Sequence, residues 1–146
     1  MKKIAIAVAA LTAGGLIYVI WRPESLLMFS WFDRLGIGSA IGSIRQFSDE
    51  RFPLMRGWIL NSLPHALWLF SGLLCLHTIW GRHEDSPLTF WCSVLVSIAV
   101  LSEIAQLGHL LPGTFDIGDL VGMVAACTLA YVVLNQPKRK ERSVYK

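Results

Sequence analysis

PLTFWCSVLVSIAVLSEIAQLG, residues 87–108, is the stretch from which the rest of this chain is read. From Pro87 to Ser102 it carries no charged side chain. About 20 residues at 1.5 Å each match the roughly 30 Å hydrocarbon core of a bilayer. Ser86 can cap a helix that opens with Pro87 at its first position, where a missing N–H costs nothing. Working outward, three further stretches have the same character, and the chain is expected to be all-α, a polytopic membrane protein with four transmembrane helices. Their expected bounds are about 4–21, 62–80, 87–108 and 116–134. Asn61 or Ser62 can cap the second span, with Pro64 in its first turn. Trp21, Trp58, Trp80 and Trp91 fall near the expected span ends, where an indole buries its rings and keeps its N–H hydrated.

Composition agrees. At 54% hydrophobic residues, with six tryptophans and a mean hydropathy of +0.54, the 146-residue chain is too apolar for an ordinary soluble domain. Four spans and their connections use the length, so a single membrane domain, 1–146, is expected. The formal charge of +3 does not indicate nucleic acid, because the basic residues gather at the two ends of the chain beside apolar runs. Cys75, Cys92 and Cys127 lie singly in apolar stretches and read as small core residues, not a disulfide framework or zinc motif.

Lys2 and Lys3 precede the first span, and Lys138, Arg139, Lys140, Arg142 and Lys146 fall in the basic tail 137–146. The charge rule therefore places both termini in the cytoplasm. Arg22, Arg34, Arg45, Arg51 and Arg56, in the outer connection 22–57, pull the other way. The first span, running on through Val19 and Ile20 to Trp21-Arg22, reads as an uncleaved signal anchor. Between the first and second spans, the apolar patch 25–47 is broken by Asp33-Arg34 and by glycines. An interfacial or re-entrant segment with a helix stop near Gly36 or Gly38 is expected there.

This topology assigns a depth to each ionisable residue. Glu103 falls about 8 Å inside the apolar layer, and a charge at the centre of a membrane helix costs about 2.5–3.5 kcal/mol. It must be paired, protonated or facing a wet cavity. Gln106 shares its helix face. His65 near the start of the second span, with Asp116 and Asp119 at the start of the fourth, reach the same level. His109 in the short connection and Arg45 in the outer segment can also enter this layer. Glu103, His65 and Asp119 are the candidate catalytic residues; Gln106, Asp116, Arg45 and His109 are the candidate substrate-binding residues. Each has a structural alternative: Asp116 and Asp119 as helix-capping residues, the histidines as interfacial groups satisfied by water or backbone, and Glu103 as a partner of Arg45. No metal is expected, since no close ligand motif such as His-Glu-x-x-His is present. No motif indicates a cofactor, and no nucleophile elbow is found.

The stretch SEIAQLGHLLPGTFDIGDLV, residues 102–121, resembles the signature of VanZ-like membrane proteins. In these, Glu and Gln on one helix precede a Pro-Gly turn and an acidic pair that opens the next helix. On this resemblance Glu103, Gln106, Pro112, Gly113, Asp116 and Asp119 are the motif positions, and His65 matches the family's usual histidine. Thr114 and Met123 stand where the family commonly has Arg and Asn. The resemblance implies a cell-envelope role linked to glycopeptide resistance, without a defined reaction. The leading expectation is a protein that binds or modifies a lipid-linked envelope substrate, a membrane lipid or lipid-linked precursor, at the outer leaflet. The alternative is a non-catalytic subunit that meets another membrane protein, or a second copy of itself, through Ala5, Ala9, Ala13, Gly14, Gly122, Ala125, Ala126 and Ala130. A proton-coupled carrier ranks below both, because the inner half of the spans offers no ionisable path. No motif decides between binding and catalysis.

Overall fold

The computed structural model describes residues 2–24, 26–51, 58–81, 87–111 and 114–135. The basic tail, the Ser86 cap, Arg56, Pro112 and Gly113 lie outside them. The described residues form six α-helices: α1 (Lys2–Trp21), α2 (Leu27–Arg34), α3 (Gly38–Arg51), α4 (Trp58–Trp80), α5 (Leu88–Leu107) and α6 (Ile117–Leu134). Four of them, α1, α4 from Ser62, α5 and α6, are long and apolar enough to cross a membrane.

Local chemistry explains most of the boundaries. α1 stops at Trp21 because Pro23 disfavours helical backbone at Arg22. α2 ends in a Schellman motif: Gly36 takes φ +75°, its N–H donates to Asp33 O, and Ile37 N–H donates to Phe32 O. The connection 22–57 thus holds two helices too short and too polar to span, hinged at the glycine where the sequence places a stop. α6 opens on Asp116, whose side chain accepts the Gly118 N–H at 2.8 Å.

One boundary differs from expectation. α4 begins at Trp58, so Pro64 lies inside the helix and Ser62 is not its cap. Proline within a helix leaves the carbonyl four residues back without its donor, a defect that membrane helices tolerate when neighbours enclose it. Pro64 is fully buried. α5 is also offset by one residue, with Pro87 as its N-cap.

α4 is the hub, packing against α1, α5 and α6. Against α1, antiparallel, it meets the small residues Ala7, Ala10 and Gly14, one stripe at helical spacing. The Ser71 hydroxyl donates to Ala7 O at 2.8 Å, and Gly14 lies beneath the Trp68 indole. α6 runs parallel to α4, with Gly122 against Ala66, and Leu69, Leu73, Met123, Ala126 and Ala130 form the core. Cys92 and Cys127 pack at its margin as the small apolar residues expected. At the far end Lys3 Nζ donates to Leu134 O at 3.2 Å, tying α1 to the last carbonyls of α6. Gly14, Gly122, Ala126 and Ala130 are therefore engaged inside the bundle. Of the small residues set aside for a partner, Ala5, Ala9 and Ala125 remain exposed.

The α1–α4 contact depends on the missing side chain at Gly14, where a Cβ would stand 2.8 Å from Trp68 Cδ1 and 3.3 Å from Leu67 Cβ. Gly14→Ile should destabilise the protein by about 1–3 kcal/mol, measured by reversible unfolding in mixed dodecyl sulfate micelles. Ala9→Ile, on the exposed side of the same helix, should stay within about 0.5 kcal/mol. Equal effects at the two positions would refute the close approach.

Candidate functional site

At the end of the bundle where α1 stops, α4 and α6 begin and α5 finishes, three spans bring ionisable side chains together. Asp119, the third residue of α6, is 6% exposed and Glu103, one turn before the end of α5, is 1% exposed. The Asp119 Oδ2 lies 3.6 Å from His65 Nδ1 on α4, close enough for an ion pair and too long for a direct hydrogen bond. Glu103 lies beside Asp119 and the start of α6 at Asp116, with His65 nearby. Two carboxyls brought together in a protein interior both accept hydrogen bonds, so the pair calls for a donor between them.

The arrangement is incomplete as it stands. Ser62 Oγ, His65 Nδ1, Glu103 Oε2 and Asp119 Oδ1 are all buried without a hydrogen-bond partner among the described residues. Burying one such group without a partner costs about 1–3 kcal/mol, and four in one place mark a position for something the described residues do not supply. Glu103 is not explained by helix stability either, since the carbonyl end of α5 disfavours an anion.

The remaining sequence candidates fall outside this cluster or serve the backbone. Asp116 caps α6. His109 takes φ 55° at the position after the α5 cap, its N–H donating to Gln106 O while Leu110 N–H donates to Ala105 O, a Schellman turn made without glycine. Its side chain is exposed, and Gln106 is half-buried one turn beyond Glu103. Arg45 is not a partner of Glu103. Its guanidinium donates to Val19 O at 2.6 Å and Arg22 O at 2.9 Å, pairs with Glu24 at 3.3 Å, and lies over the Phe29 ring at 4.8 Å. A cation at those terminal carbonyls completes α1 and fastens α3 to it.

Ser62 was readable only as a cap; its spacing of three residues from His65 was the signal that they share a helix face. Trp68, edge-on to His65 with ring centroids 6.3 Å apart, closes the cluster on the α1 side. Among the described residues no group of three or more His, Cys, Asp or Glu is arranged to hold a metal ion. The chain matches no family model, no curated protein and no solved structure.

Asp116 and Arg45 should behave as structural residues. Asp116→Ala should cost about 0.5–2 kcal/mol through the lost cap, and Arg45→Ala about 1–3 kcal/mol through the stranded carbonyls, both read in the same unfolding assay. Asp116→Asn, which keeps the capping oxygen, should recover most of the loss.

Proposed function

We propose that this protein is a cell-envelope factor of the bacterial cytoplasmic membrane, similar to VanZ-like proteins, that binds or modifies a lipid-linked substrate at the outer leaflet. Its termini face the cytoplasm and the His65–Glu103–Asp119 cluster faces outward. The single observation that carries the reading is the set of four unpartnered buried polar atoms spread over α4, α5 and α6 at one end of an otherwise apolar bundle. Three of the four belong to residues singled out by the resemblance, His65, Glu103 and Asp119.

The donor set narrows the chemistry. Two carboxyls and an imidazole accept hydrogen bonds and exchange protons. They fit a headgroup that presents hydroxyl or ammonium donors and disfavour an unshielded phosphate at the same point. Glu103 or Asp119 would hold such a donor, and His65, beside Asp119, would relay its proton if the bound group reacts. The orientation is supported by Lys2 and Lys3 and by the basic tail. The opposing arginines lose weight because two have local work: Arg45 fastens α3 to α1, and Arg22 lies 5.2 Å from the centroid of the Tyr18 ring.

The test compares cells that make the wild-type protein or Glu103→Gln at matched membrane levels, with mass spectrometry of membrane lipids and lipid-linked wall precursors. A species that changes with the wild type alone is expected. Identical profiles from two stably inserted proteins would overturn the proposal, and failure of Glu103→Gln to accumulate would assign Glu103 to folding.

A further inference from the structure

Beside the carboxyl cluster an apolar groove of about 430 Å³ runs along the α4–α6 seam. It exists because α6 presents no side chain at Gly118 and Gly122 and only methyl groups at Ala125 and Ala126. It opens laterally, since Val121, Ala125 and Leu129 on its rim are exposed. Small residues alone would say nothing of an occupant. At the mouth, however, Ser62 is 4% exposed and its hydroxyl has no partner among the described residues. Ser62 is one turn from His65, so the mouth adjoins the cluster.

We propose that this groove seats one acyl chain of a membrane lipid whose headgroup meets Ser62 and the neighbouring cluster; the headgroup part rests on the function proposed above. Two features select a lipid over a helix. Along α6 the lining runs from Gly118 to Leu129, about 16 Å at 1.5 Å per residue. That is roughly half the 30 Å hydrocarbon core, the depth of one leaflet, whereas a crossing helix would need the full thickness. The lining itself is apolar, and the ionisable cluster adjoins it at one end only, through Asp119 next to Gly118 and His65 next to Ala66, which matches an amphiphile. Hydrocarbon gains nothing by leaving bulk lipid for an apolar groove. Selection therefore comes from the cluster adjoining that end, and the groove gives the attached chain a fixed path.

The test uses cells grown with a palmitate analogue bearing a mid-chain diazirine, so that membrane lipids carry the photoreactive group, followed by irradiation and peptide mapping of the full-length protein. Crosslinks should concentrate on Phe70, Val121 and Leu129. Ala125→Phe, which fills the groove from its rim, should reduce them about tenfold, and Ser62→Ala severalfold, while Val124→Phe, exposed on α6 outside the groove, should leave them unchanged. Val121→Trp replaces Ala125→Phe if the latter does not accumulate. Crosslinks spread evenly over the bundle and indifferent to Ala125→Phe would overturn the proposal. So would disulfide linkage of Ala125→Cys between two copies in native membranes, which would give the groove to a second molecule. If the groove fails while the lipid profile still depends on Glu103, the proposed function stands without it. A cleared groove with a silent Glu103→Gln would keep the chain site and remove the headgroup reading.

Discussion

The carboxyl of Glu103 imposes the constraint to which the rest of this end of the molecule answers. It is enclosed by protein at a depth where bulk water cannot solvate it. It must therefore be met by groups from neighbouring helices. The start of α6 lies beside it, with Asp119 and with Asp116, whose side chain caps the helix on the Gly118 N–H. The cap, the helix start and the buried acid thus meet at one point, where α5 and α6 make few other contacts.

The scaffold that makes this possible is α4. It meets α1 through glycine and alanine, α6 through glycine, and α5 through Gly72 beneath Leu95. Close approach substitutes here for the hydrophobic drive, which does not operate between helices already dissolved in lipid. The large apolar side chains point outward, Val8 and Leu11 on α1, Ile98 and Leu101 on α5, Val124 and Val132 on α6, an exposure that would be a liability in water and is solvation in a bilayer. Pro64 fits the same logic. Its ring is enclosed by the bundle, one residue from His65, and it removes one backbone donor from α4 where polar side chains gather.

The spans were legible because length and the absence of charge are nearly sufficient in a membrane, and their ends agree with the observed helices to within a few residues. The Asp116 cap and the glycine stop at Gly36 were legible for the same reason, as local backbone chemistry needs no partner. What the sequence did not reveal is tertiary. Arg45 looked available for Glu103 because both were assigned to one level, and only the fold shows its guanidinium committed to the carbonyls ending α1. Ser62 reads as a cap, a local role, and its spacing from His65 gains meaning only once the fold shows the helix already formed before Ser62 and that hydroxyl buried. His109 carried the chemistry of a histidine in the sequence and serves in the structure through its backbone, in a conformation usually left to glycine.

The distribution of polarity along the bundle limits what the cluster can do. A transport path needs groups at successive depths, and below His65 the core passes through Leu69, Leu73, Met123 and Ala126 to Ala130 with no ionisable side chain among them. A site for chemistry on a soluble molecule would need an aqueous approach, yet the groove adjoining this cluster opens sideways along α4 and α6. On the proposed function both conditions are met by a ligand whose polar part stops at the level of the carboxyls and whose apolar part continues beside the helices. On that proposal the depth of Glu103 also has a reason: nearer the surface, water would satisfy it without a ligand; nearer the centre, no headgroup would reach it.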